Sequence, residues 1–194
     1  MKKQNQHPTS FLIAAVSLTV IFAIWSGATS AFQFQVYGKI GEKWQRLGRE
    51  RGPLGAARSS EADAPHGGRF NEFANGSIWW HPTIGEAYAV WGQIGVRYRQ
   101  LGGPSFGYPI TDELGTPDGV GRFNHFRAVH LPGRPEASIY WTPGAGAHEI
   151  YGSIRKAWAD QGWERGKPGY PISGEFQDGP YRRSNFQNGY IIRL

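Results

Sequence analysis

Cysteine is absent from all 194 residues. This excludes a disulfide framework, a thiolate metal site, a cysteine nucleophile and a lipid-modified cysteine. Stability has to come from packing. Basic blocks are lacking too. The formal net charge is +6, but the Lys and Arg residues are scattered, whereas nucleic-acid binding calls for clustered cation. No His-x-x-x-His or His-Glu-x-x-His spacing occurs among the six histidines, so no metal site is expected. Gly102-Gly103-Pro104 is no phosphate loop, because proline lacks an amide donor and no Lys-Ser/Thr follows. Nothing implies a cofactor.

What is abundant is punctuation and aromatic rings. Glycine (28) and proline (13) make up about a fifth of the chain. In a polar sequence that proportion reads as disorder. Here it stands among 8 Trp, 9 Tyr and 11 Phe, so glycine and proline mark turns between short packed elements.

Residues 1–31 read as a processing segment. Lys2 and Lys3 precede an uncharged apolar run from Phe11 to Trp25, followed by small residues ending at Ala31. That is the pattern of a cleaved signal peptide. A short membrane anchor is the alternative, because the run is at the lower end of the roughly 17–25 residues a bilayer span needs. An exported or surface location is expected, with membrane contact only through an uncleaved segment.

The remainder, 32–194, repeats. Segments beginning Tyr37-Gly38, Trp91-Gly92 and Tyr151-Gly152 divide it into units of about 37–90, 91–150 and 151–194. Each opens with a short amphipathic helix. Val36, Ile40, Trp44 and Leu47 share one face, as do Val90, Ile94, Tyr98 and Leu101, and again Ile150, Ile154 and Trp158. Gly48, Gly102 and Gly162 suit left-handed helix ends. A Gly/Pro segment follows, then an acid (Glu61, Asp112-Glu113 or Glu175), then a β-hairpin. Asn75-Gly76 and Asn188-Gly189 signal tight turns, which predicts Phe73 opposite Ile78 and Glu72 opposite Trp79. The second hairpin carries a longer loop, Arg127 to Ala137.

The expected fold is an α+β repeat protein of three hairpin-plus-helix units. The third unit stops at Leu194 without the strand that follows the others. Phe34-Gln35-Val36 matches Tyr88-Ala89-Val90, so residues 32–36 either complete the third unit and close a ring, propeller-like, or leave an open array.

GRFNEFANGSIWW, EAYAVWGQIGVRYRQLGG and GYPITDE together resemble the LGFP repeat family, as does ASIYWTPGAGAHEIYGSI. The resemblance spans about 33–194 and implies a non-catalytic envelope-attachment module. It departs in the first copy, where Leu54-Gly55-Ala56-Ala57 lacks the Tyr-Pro pair of Tyr108-Pro109 and Tyr170-Pro171.

The recurring Glu61, Glu113 and Glu175 read as structural partners of Arg69, Arg122 and Arg182 or Arg183, because buried acids need partners. A wall hydrolase using Glu113 or Glu175 is the alternative, and a module binding another exported protein is a third reading. For a cell-envelope polysaccharide, the candidate contacts are Trp79, Trp80, Tyr140, Trp141 and Arg193, whose rings and guanidinium suit sugars and anionic polymer. His130 and Arg134 on the long loop are added because binding residues concentrate on loops.

Overall fold

The computed structural model describes residues 34–194. The expected signal segment lies outside the described residues. Three units stand in sequence, each a helix and an antiparallel sheet. Unit I holds α1 (Gly38–Arg46), β1 (Ala62–Ala64), β2 (Gly68–Phe73), β3 (Gly76–Trp80) and β4 (Ala87–Trp91). Unit II holds α2 (Gly92–Gln100), β5 (Tyr108–Pro109), β6 (Leu114–Gly115), β7 (Arg122–Arg127), β8 (Glu136–Thr142) and β9 (Gly146–Tyr151). Unit III holds α3 (Gly152–Ala159), β10 (Phe176–Asp178), β11 (Tyr181–Phe186) and β12 (Gly189–Arg193). The sheet orders are β1-β2-β3-β4, β5-β7-β8-β9 with β6 also on β7, and β10-β11-β12.

Helices and sheets alternate. α1 packs on β3 and β4; α2 lies between the unit I and unit II sheets; α3 lies between those of units II and III. Each helix has only eight or nine residues, too few to hold alone in water, so the flanking sheets supply its stability. Phe73 and Ile78 are buried with Ile40, Phe126 and Ile139 with Ile94, and Phe186 and Ile191 with Ile154.

The hairpin register differs from the sequence expectation by two residues. Phe73 pairs with Gly76, Glu72 with Ser77, Asn71 with Ile78 and Phe70 with Trp79. The turn residues are therefore Ala74 and Asn75. Neither has positive φ, so this is not the mirror-image turn that Asn-Gly suggests. Docking fixes the turn instead. Its amides donate to Ala56 O and Leu54 O at 2.9 and 3.0 Å, and Asn75 Nδ2 donates to Pro53 O at 3.1 Å. Gly76 is required by crowding, since a Cβ there would strike Val90 O and the Trp91 side chain.

Three contacts recur and explain the repeat. The helix aromatic ties down the Gly of the Gly/Pro segment: Trp44 Nε1 donates to Gly55 O, Tyr98 Oη to Gly107 O and Trp158 Nε1 to Gly169 O, at 3.1, 2.8 and 3.0 Å. A hydroxyl accepts a strand amide: Ser59 from Glu72, Thr111 from His125 and Ser173 from Asn185, each at 2.9 Å. A fully buried Asn sews the unit to the strand before it. Asn71 Nδ2 donates to Gln35 O and Ser59 O, and Asn124 Nδ2 to Ala89 O and Thr111 O.

The tyrosine that the first copy lacks links neighbouring units in the other two. Tyr108 of unit II reaches back to Pro65 O of unit I. Tyr170 of unit III reaches back to Asp118 of unit II at 2.6 Å. Gly68 and Gly121 leave room for these rings, since a Cβ on either would collide with them. Unit I carries Ala56 at the tyrosine position, and unit III carries Tyr181 where the others have glycine.

The described residues form an open array. Gln35, which ring closure would place beside β12, bonds within unit I: its amide donates to Ser60 Oγ, and its carbonyl accepts from the Glu61 amide and Asn71 Nδ2. The edge of β12 that β4 and β9 would correspond to carries no strand among the described residues.

Candidate functional site

Trp79 and Tyr140 are scaffold. They are 7% and 4% exposed and face the next unit's helix, not solvent. Trp79 stacks on Phe70 at 4.7 Å and meets Tyr98 edge-on. Its Nε1 donates to Ser77 Oγ. Tyr140 stacks on Phe123 at 5.1 Å and meets Trp158 edge-on. Burial pushes its hydroxyl pKa upward. In unit III the corresponding pair is Arg183 and Ile192, a more polar combination.

The neighbouring position behaves differently. Trp80 and Trp141 are only partly buried and Arg193 is exposed. Each lies directly across the hairpin from an arginine: Trp80 from Arg69, Trp141 from Arg122, Arg193 from Arg182. Each arginine is set against the recurring glutamate. Arg69 Nε bonds Glu61, and Arg182 Nε bonds Glu175 at 2.9 Å. Arg122 Nε stands 3.9 Å from Glu113. Arg183 pairs with Asp178 instead, at 3.1 Å. A ring or guanidinium, an arginine and a carboxylate thus recur at one register of every unit.

Glu113 is the least well partnered of the three acids. Burial raises its pKa to about 7, against a smaller opposing pull from Arg122. His125, on the neighbouring strand, is held down to about 4, mainly by burial and then by the Arg155 charge.

The long loop builds a second feature. In unit II the Ala74-Asn75 type of turn gives way to 128–135, and a cleft of about 240 Å³ opens beneath it. Phe106, Ala128, Leu131, Pro135, Ala137 and Tyr151 form its largely apolar wall, with Glu136 at the edge. Glu136 stays ionised because Arg127 and Arg155 bond its two oxygens at 2.8 and 3.2 Å. His130 points the other way, stacked on His66 of unit I with ring centroids 4.1 Å apart. Arg134 is exposed at a positive-φ position in the loop, φ 46°. Neither residue lines the cleft. The loop's length marks where the cleft opens, but the cleft wall is apolar and is not formed by His130 or Arg134. Phe106 and Tyr151 lie outside the loop and carry no sequence signal that links them to it.

A further spacing is Gly103-Pro104-Ser105-Phe106-Gly107. It has the glycine placement of a serine-hydrolase elbow. The structure puts Ser105 in a short 3-10 turn after α2 and before β5, the reverse of the strand–turn–helix order an elbow needs. No group of three or more metal-ligating side chains occurs among the described residues, and no helix there is long and apolar enough to cross a membrane.

A search of curated proteins found no match. A family model for the LGFP repeat matches residues 54–105 and 106–166. Together these matches span more than half of the chain, across units I and II and into α3 of unit III. The chain belongs to the LGFP repeat family.

Proposed function

We propose that this protein is an exported, non-catalytic module that binds cell-envelope polysaccharide and holds itself at the cell surface. The observation that carries this reading is the recurring set of Trp80 with Arg69, Trp141 with Arg122, and Arg193 with Arg182. A polymer presents the same chemistry again and again, and a repeated subsite matches it. Sugar C–H faces pack on partly exposed indoles, while guanidinium groups bond hydroxyls and attract anionic substituents. The partner glutamates orient the arginines, which supports binding over turnover. Exposed charge makes retention salt-sensitive. The test is co-sedimentation of the full chain with purified envelope glycan at low and high salt. Retention at low salt that weakens with salt supports the reading; folded protein left in the supernatant at low salt contradicts it.

The edge of β12, unpaired among the described residues, supports a second reading, a strand-accepting surface. The strand would come from another exported protein, or from residues 32–36 if Gln35 leaves its unit I bonds to close the ring. Because deleting 32–36 would also remove those unit I bonds, a cysteine pair, Phe34→Cys with Ile192→Cys, tests closure. Disulfide formation under mild oxidation supports it, and free thiols in folded protein count against it.

A further inference from the structure

The cleft of unit II sits where units I and III dock their hairpin turns. In unit I the Asn75 amide donates to Leu54 O, and its side chain donates to Pro53 O. In unit III the Asn188 amide donates to Pro168 O at 3.0 Å, and its side chain to Lys167 O at 3.1 Å. Two consecutive carbonyls therefore receive two N–H donors from one asparagine. In unit II the corresponding carbonyls belong to Ser105 and Phe106, and the corresponding turn residue is Ala128. Alanine has no amide side chain. The Ala128 N–H is turned away as well, donating to Pro135 O at 3.0 Å. Ser105, Phe106 and Ala128 all line the cleft.

The unit II cleft is thus lined by the two residues whose counterparts' carbonyls are capped in units I and III, with no hydrogen bond to either carbonyl among the described residues and hydrocarbon around them. Leaving such acceptors unmet beneath an occupant costs about 1–3 kcal/mol each, so an occupant must bring donors. At about 240 Å³, the cleft is smaller than the roughly 300–1,000 Å³ of pockets for drug-sized ligands. It suits one small unit of a chain. We propose that this cleft is a specificity subsite for an N-acylated amino sugar. The acetamido N–H takes the place of the asparagine donor, a ring hydroxyl supplies the second bond, and the acyl methyl packs among Phe106, Leu131 and Pro135. This rests on the glycan-binding reading and adds to it a choice among glycans. The Arg–Trp register supplies general adhesion; the loop of unit II supplies the selection.

The experiment titrates the full chain with tri-N-acetylchitotriose and with cellotriose, which carries hydroxyls in place of acetamido groups, following the unit II amide signals by NMR. The expected result is binding of the N-acetylated sugar about tenfold tighter, the worth of one well-made hydrogen bond, with shifts at Phe106, Ala128 and Tyr151. A variant with residues 127–137 replaced by Ala-Asn-Gly, the unit I turn, refills both carbonyls. It should lose the preference while still co-sedimenting with envelope glycan. Equal affinity for the two sugars overturns the inference, as does a preference that survives the turn replacement. An acetylated dipeptide amide bound more tightly than the sugar also overturns it, in favour of a peptide site. Loss of co-sedimentation in wild type and variant alike strikes instead at the general glycan reading.

Discussion

Gly174 and Glu149 share one space: a Cβ on Gly174 would run into the Glu149 carboxylate. One unit earlier the two positions hold Asp112 and Ala89, with the acid on the opposite side. Asp112 Oδ1 accepts the Ala89 amide at 2.9 Å. Either way a carboxylate meets the cation of the preceding helix. Lys43 Nζ lies 2.7 Å from Asp112 Oδ2, and Arg97 holds both Glu149 oxygens at 2.7 and 2.9 Å. The third helix carries Ala157 at the corresponding place. The helix cation thus keeps a carboxylate partner while the acid changes sides: Lys43–Asp112 joins units I and II, and Arg97–Glu149 lies within unit II.

This exchange predicts a compensating pair. Gly174→Asp alone forces two carboxylates together and should destabilise by about 1–3 kcal/mol, the usual cost of overpacking. Adding Glu149→Ala should recover most of that loss, giving a coupling on the order of 1–3 kcal/mol. Urea denaturation of the two single variants and the double variant measures it. Additive losses would mean the two positions do not share a site.

The buried asparagines give a second contrast. Asn124→Ala strands the carbonyls of Ala89 and Thr111, at about 1–3 kcal/mol per buried unsatisfied group. Ser184 occupies the matching place in unit III, and its hydroxyl has no partner among the described residues. Ser184→Ala should therefore be close to neutral or slightly stabilising. Thermal melts of both variants check this, and equal losses would contradict the assignment of Asn124 as the link between units.

The repeat, the helix faces and the glutamate–arginine partnerships were legible from spacing alone, because each depends on residues close in sequence. The hairpin register was not. Asn75-Gly76 carries a strong local turn signal, but the turn is set by Pro53 and Leu54, about twenty residues away. Trp79 and Trp80 look equally suited to a ligand as a sequence. Only the arrival of α2 on one face of the sheet decides which ring is buried. The cleft was beyond reach for a different reason. Its polar floor is made of backbone carbonyls, which no residue type announces; the one visible sign was Ala128 where the other copies have asparagine.

Protonation provides a third prediction. Glu113 has its folded pKa raised from the ordinary 4.5 to about 7. Its contribution is therefore fully present below pH 4.5 and is lost as pH rises through about 7. Glu113→Gln should melt near wild type at pH 4.5 and above it at pH 8, by about 2–4 °C for each kcal/mol regained. His125 works the other way. Its depressed pKa of about 4 makes acidification below its ordinary 6.5 costly to the fold. Melting curves from pH 4.5 to 8 resolve the two, and a pH-independent gap between Glu113→Gln and wild type would contradict the burial of that acid.

The central claim is adhesion through the recurring Trp–Arg register. The most direct measurement is co-sedimentation of wild type, Trp141→Ala, Arg122→Ala and Trp79→Phe with envelope glycan at low salt, each checked for folding by near-UV circular dichroism. Trp79→Phe keeps an aromatic ring in the core and touches no proposed ligand surface. The account predicts wild-type retention for Trp79→Phe and clearly weakened retention for Trp141→Ala and Arg122→Ala. Folded Trp141→Ala and Arg122→Ala proteins that bind as tightly as wild type would contradict it.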